Sequence, residues 1–108
     1  MAEIFEKPGI VDISYMNIGY PFTFQTIHDG DITGNTYVAT INLYNGVKIP
    51  IGITKSYDNV TLKTTLTYTL TKANSALLLP NVNQWILIET SGGQERLLLV
   101  GKWGAYPI

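Results

Sequence analysis

The residues of this chain that could do chemistry are one histidine, eight acids, two glycine-rich stretches and a set of aromatic rings. His28 is the single histidine among 108 residues, and there is no cysteine. That leaves no thiol nucleophile, no Cys-ligated metal site and no His/His metal pair. His28-Asp29-Gly30-Asp31 has the composition of a tight turn, where Asp and Gly supply local hydrogen bonds and positive φ. A glycosidase needs two carboxyls about 5–9.5 Å apart in a cleft. Glu3, Glu6, Asp29, Asp31, Asp58 and Glu95 fall in the N-terminal arm or in expected turns, and Asp12 and Glu89 lie on or near strand ends. The expectation is solvated rim charges. Ser91-Gly92-Gly93 resembles a fragment of a phosphate loop, but no lysine or helix follows to complete an anion site. No catalytic residue, metal ligand or cofactor is therefore assigned, and the chain is read as non-enzymatic. The aromatics could form a sugar-stacking platform, but in a small domain rings first fill the core.

The elements that must carry these residues are strands. Thirteen threonines, thirteen isoleucines and seven tyrosines make a strand-rich composition. Tyr37, Ala39, Ile41 and Leu43 share one face of an alternating run. Val47, Ile49, Ile51 and Ile53 share one face of the next, and Asn45-Gly46 joins the two. This predicts a hairpin closed by a type I′ turn, with Pro50 at an edge or bulge. Residues 21–27 alternate aromatic with polar, and residues 60–70 are apolar at every second position except Thr64. Thr71 can cap a helical turn over residues 72–78 that Pro80 stops. Residues 84–90 and 96–100 flank a second hairpin turn. They are apolar at consecutive positions in Trp85-Ile86-Leu87-Ile88 and Leu97-Leu98-Leu99-Val100, which predicts cover on both faces. A weaker strand spans residues 10–16. The spacing of turns fits an all-β sandwich or a small barrel without separating them.

Length and composition set the frame. One domain is expected, a β-sandwich over residues 10–108 preceded by an N-terminal arm over residues 1–9. Charged residues are 14% and the net charge is −1, with lysines and arginines scattered singly. That disfavours a nucleic-acid partner. No apolar stretch approaches the ~20 residues that cross a bilayer, so no membrane role is expected. The N-terminus lacks the apolar core of a signal peptide, so the expected compartment is the cytoplasm of the producing cell. Strand surfaces are nearly uncharged, which leaves edges and faces poorly defended against pairing with a neighbour. Ile4 and Phe5 near the start, and Trp103, Tyr106 and Ile108 at the end, would expose apolar surface if free. They are the expected assembly interface, docked on a neighbouring copy or on their own sandwich.

In order, Gly19-Tyr20-Pro21-Phe22-Thr23-Phe24, the turn Asp31-Ile32-Thr33-Gly34-Asn35-Thr36, the strand and Thr-started helical turn of residues 66–80, and the closing hairpin Gln84-Trp85-Ile86-Leu87-Ile88 with Leu97-Leu98-Leu99-Val100-Gly101-Lys102-Trp103 form a pattern. This pattern resembles the N-terminal domain of bacteriophage baseplate upper proteins and related phage fibre-attachment domains, over about residues 17–104. The resemblance implies an immunoglobulin-like antiparallel β-sandwich of about 6–8 strands with at most one short helix. It further implies a virion structural protein, often trimeric, that tethers one component to another. The family's longer members continue into a stalk and a receptor-binding head, so a compact tail, baseplate or fibre-attachment subunit, adaptor or capsid-decoration protein is expected here. Its partners would be other copies of itself, as a trimer or ring, and other virion proteins, and its expected location is the virion, assembled in the host cytoplasm. The alternative is a β-sandwich module that binds carbohydrate or another surface ligand.

Overall fold

A computed structural model of the chain describes residues 8–107. The all-β class holds: strand makes up 65% and helix 4%. The strands are β1 (Gly9–Ile10), β2 (Ile13–Asn17), β3 (Phe22–Asp29), β4 (Thr36–Asn42), β5 (Lys48–Asp58), β6 (Lys63–Leu70), β7 (Asn81–Ser91) and β8 (Gln94–Tyr106). One helical turn, α1 (Lys72–Ser75), lies between β6 and β7. The hydrogen-bonded order is β1-β8-β7-β4-β5-β6-β3, with β2 also on β8. The result is one eight-stranded sheet curled into a half-barrel.

The curl is made at β5. Its first residues pair with β4, from Asn42↔Lys48 to Ala39↔Ile51. From Gly52↔Thr69 onward it pairs with β6 instead. Pro50 sits in the first stretch, opposite Thr40 and with no β6 residue on its other side. The missing N–H therefore costs no ladder bond, and the expected edge is a local one.

The hairpin between β4 and β5 forms as expected, but its turn differs. Gly46 has φ +91°, while Asn45 keeps negative φ. Gly46 N–H donates to Leu43 O at 2.9 Å, and Leu43 N–H donates to Val47 O at 2.8 Å. This is a type I turn followed by a glycine bulge, which needs only one positive φ. The primed geometry occurs at the β7–β8 hairpin, where Gly92 (φ +58°) and Gly93 (φ +81°) join Ser91 to Gln94. The helical turn starts where expected: Thr71 Oγ1 accepts from Asn74 N–H at 3.2 Å. It ends earlier, at Ser75. The His28-Asp29 pair belongs to β3 rather than to a turn, opposite Thr64 and Lys63. Thr64, the break in the apolar alternation, is fully buried. Its hydroxyl donates to Gly30 O at 2.6 Å and accepts from Ile32 N–H at 3.1 Å, so it serves the loop after β3.

Rings fill the concave side. Phe24 stacks on Tyr68 (4.4 Å between centroids, 7° between planes) and meets Trp85 edge-on at 5.4 Å. Trp85 and Trp103 meet edge-on at 6.1 Å, and Phe22 packs edge-on against Trp103 at 5.7 Å. Ladders on opposite halves of the curl thus supply one core, and each such pair adds about 0.5–1.5 kcal/mol beyond the area it buries.

The sheet is mixed, which no local pattern of residues announces. β1 and β2 run parallel to β8, pairing Gly9 with Leu99 and Asn17 with Tyr106. Gly9, assigned to the arm from sequence, is already in the sheet. The residues between β1 and β2 cross close to β8. Val11 N–H donates to Val100 O at 2.9 Å, and the indole N–H of Trp85 donates to Val11 O at 2.7 Å. A Cβ at residue 101 would overlap the Val11 carbonyl and crowd the Trp85 indole nitrogen. A Cβ on Gly52 would find only an ordinary contact, 3.5 Å from Thr69 O. Gly101→Ala is therefore expected to cost roughly 3 kcal/mol of stability, by overpacking and by displacing the Trp85 bond. Gly52→Ala should stay within about 0.5 kcal/mol of wild type. Urea unfolding of the two variants checks this contrast.

Candidate assembly surface

The expected interface residues separate. Ile4, Phe5 and Ile108 lie outside the described residues. Trp103 is 0% exposed and sits in the ring cluster, with its indole N–H 2.9 Å from Met16 Sδ. It offers nothing to a neighbour, because β8 continues through it and turns its side chain inward. Tyr106 is half-buried and stacks on Tyr15 (5.0 Å, 14°), while its carbonyl accepts from Ile18 N–H at 2.9 Å. Through Tyr106, the C-terminal stretch docks on the chain's own N-terminal strand.

A different surface emerges from the register. Val38, Ile88 and Leu97 are cross-strand partners on β4, β7 and β8, so they share a row. The next row reads Thr40, Ile86, Val100 and Ile10. These side chains point away from the core, which takes Ala39, Ile41, Trp85, Leu87 and Leu99 on the other face. Val38 is 59% exposed, Leu97 41% and Ile10 76%. The rule that consecutive apolar positions are covered on both faces is met here on one face only. Polar residues bound the patch: Asn42, Gln84 and Lys102 align on one side, Thr36, Thr90 and Glu95 on the other.

One end of the half-barrel holds a polar cluster that the sequence reading missed. Glu89, expected as a solvated rim charge, is 3% exposed. Its register partners are Tyr37 on β4 and Arg96 on β8. The Tyr37 hydroxyl donates to Glu89 Oε2 at 2.7 Å, Asn35 Nδ2 to the same oxygen at 3.1 Å, and Arg96 Nε to Oε1 at 2.6 Å. The signal was available: counting outward from the Gly92-Gly93 turn puts Glu89 opposite Arg96. Lys55 Nζ donates to the Thr33 and Asn35 carbonyls at 2.9 and 2.7 Å. Together these bonds clamp the loop between β3 and β4 onto the sheet. Nearby, His28 Nε2 lies 2.7 Å from Thr26 Oγ1, which in turn lies 2.7 Å from the Tyr68 hydroxyl.

The cluster is built to hold its protons where they are. Burial raises the Glu89 carboxyl, but donation from Tyr37, Arg96 and Asn35 outweighs it, and its pKa falls below the ordinary value of 4.5. Burial, followed by the bond to Glu89, pushes the Tyr37 phenol far above its ordinary range. A carboxylate with all its strong donors in place is a poor base, and a phenol held protonated is a poor nucleophile. The groove beside them, about 390 Å³, is lined by Ile32, Asn35, Ser91 and Gln94 among others. Among the described residues no three His, Cys, Asp or Glu side chains cluster as a metal site. Of the rings that could stack on sugar, Tyr68, Trp85 and Trp103 are in the core. Tyr44 is exposed beside a shallow groove of about 370 Å³ lined by Asn42, Asn83, Gln84 and Lys102. Asn83 Oδ1, at that groove, is buried without a hydrogen-bond partner.

Acid should weaken the fold in two windows. Burial lowers the His28 pKa, opposed by the Glu89 carboxylate and aided by Arg96. The unfolded chain therefore binds more protons, and stability falls as pH drops below the ordinary value of 6.5. Glu89 has the same sign at lower pH: its contribution is present above about 4.5 and is lost as pH falls through its depressed folded value. Glu89→Gln should remove the second descent and cost about 2 kcal/mol at pH 7. That is less than the ~3–5 kcal/mol of breaking a fully buried pair, because Arg96 is half-exposed and can turn to water. His28→Gln should flatten the first. Unfolding free energies between pH 3 and 8 measure both.

No protein-family model matches the chain and no curated protein matches it, so the surfaces described above carry the functional reading.

Proposed function

We propose that this protein is a non-enzymatic structural subunit that works by assembling with copies of itself and with other proteins of a bacteriophage particle. The observation that carries the assembly half is the uncovered aliphatic face of β4, β7 and β8. Strands apolar on both faces belong in the interior of something, and on one side none of the described residues supplies that interior. The virion half rests on the resemblance of residues 17–104 to phage fibre-attachment domains. The immunoglobulin-like reading of the fold belongs to the same proposal. It is supported by the way β5 divides its pairing between two layers, β1-β8-β7-β4 and β6-β3, that enclose one core. The carbohydrate-module reading has one observation of its own, the amide-lined groove beside the exposed Tyr44 ring.

Mass in solution is the direct test. The full chain is expected at a multiple of its 12.0 kDa protomer mass, as a trimer or ring. Val38→Glu combined with Leu97→Glu should lower that mass while leaving the buried tryptophan fluorescence unchanged, since both side chains are on the surface. Electron microscopy of phage particles containing the chain should place it at repeated, symmetric positions. A wild-type protein that stays monomeric at about 100 µM and binds an oligosaccharide would overturn the assembly reading in favour of the module.

A further inference from the structure

The two borders of the sheet are unlike. On one side β1 has two residues, and β2 has five with a register shift between Ile13 and Met16. Short, irregular strands are how natural sheets blunt an edge. On the other side β3 pairs with β6 over eight consecutive residues without a bulge, and no strand pairs with its outer side among the described residues. β3 contains no lysine and no proline. Its single acid, Asp29, is held by Lys63 of its own chain at 2.5 Å.

Which groups face out follows from one hydrogen bond. Gly30 N–H donates to Leu62 O at 2.8 Å, and these two residues continue the register of Asp29↔Lys63. Antiparallel ladders alternate bonded and non-bonded pairs, so Phe22, Phe24, Thr26 and His28 make the bonds to β6. The N–H and C=O groups of Thr23, Gln25, Ile27 and Asp29 point to the open edge. Ile27 is 66% exposed there.

We propose that this edge is the seat of β3 from a second copy, running antiparallel about a twofold axis, so that two half-barrels share one continuous sheet. The proposal rests on the self-assembly reading above and names where copies meet. The occupant is a second β3 because the other border offers no comparable run of regular backbone. The register that uses all four outward residues puts Gln25 of one copy opposite Ile27 of the other, and Thr23 opposite Asp29. The axis then passes at Thr26, about eight backbone hydrogen bonds form, and no two like charges face each other. Such a contact is isologous and closes on itself. Whatever ring the aliphatic face builds, this edge doubles it.

Two substitutions probe the edge and leave the backbone ladder to β6 in place, although Gln25→Pro also removes the exposed side-chain bond from Gln25 Nε2 to Thr67 Oγ1. Gln25→Pro removes an outward N–H, and Ile27→Lys places a charge at the contact. Each is expected to halve the assembled mass of the full chain, with unchanged tryptophan fluorescence as the check on folding. In this cysteine-free chain, Gln25→Cys combined with Ile27→Cys is expected to give a covalent dimer on mild oxidation, since facing bonded pairs lie within disulfide reach. Unchanged mass in both edge variants, with no covalent dimer, overturns the edge proposal and leaves self-assembly through the aliphatic face standing. A monomeric wild type removes the self-assembly reading itself.

Discussion

A single sheet that curls must fill its own hollow, and this constraint governs most of the chain. Among the described residues no second element of any size covers the concave side, so the strands cover one another. β5 makes that possible by changing partners between Ile51 and Gly52, which swings β6 and β3 across from β7 and β8. The gap so enclosed is wide, and Phe22, Phe24, Tyr68, Trp85 and Trp103 bridge it. Smaller side chains at those positions would leave voids, which cost stability in proportion to their volume. The low charge content follows from the same demand, because nearly every inward position must be apolar.

Large polar-tipped rings bring a second requirement. Each buried indole N–H must find an acceptor, or it costs about 1–3 kcal/mol. Trp103 finds the sulfur of Met16, and Trp85 finds the carbonyl of Val11. Both acceptors are on the N-terminal segment. That segment can come close enough only because β8 has glycine where it crosses: Gly101 beneath Val11 and Gly104 beneath Ser14. Asp12 adds a side-chain acceptor for Lys102 N–H at 2.9 Å. The parallel edge is thus a consequence of core chemistry rather than an addition to it.

Period-two alternation made the long strands legible, and Asn45-Gly46 and Gly92-Gly93 marked two of the three hairpins among the described residues, because those signals are local. Partner choice is not local. Nothing in residues 9–17 says that they pair with β8, since a half-apolar strand reads the same beside any neighbour. Trp103 lies near the end of the sequence, where an interface is expected, but the alternation of Leu99, Gly101, Trp103 and Ala105 marks an inward face, and Trp103 is buried. Glu89 also reads as a surface residue in the sequence: acids are rarely buried, and the pairing that pays its desolvation spans two hairpin arms. The aliphatic face was legible in part. The apolar run in β7 and β8 announced a need for cover on both sides, but only the register shows which side lacks it.

The partnership of β1 and β2 with β8 ties residues about ninety positions apart, as Asp12 and Lys102 illustrate. On a ribosome β1 and β2 emerge well before β8, the strand they pair with. During that interval the acceptors for both tryptophans are in place before the tryptophans exist. Loop closure over such a span is slow compared with the hairpins that β4–β5 and β7–β8 form on their own. The hairpins can therefore collect around the rings while one border of the sheet is still open. Completion of that border then joins residues 9–17 to residues 99–106, across most of the length of the sheet's own sequence.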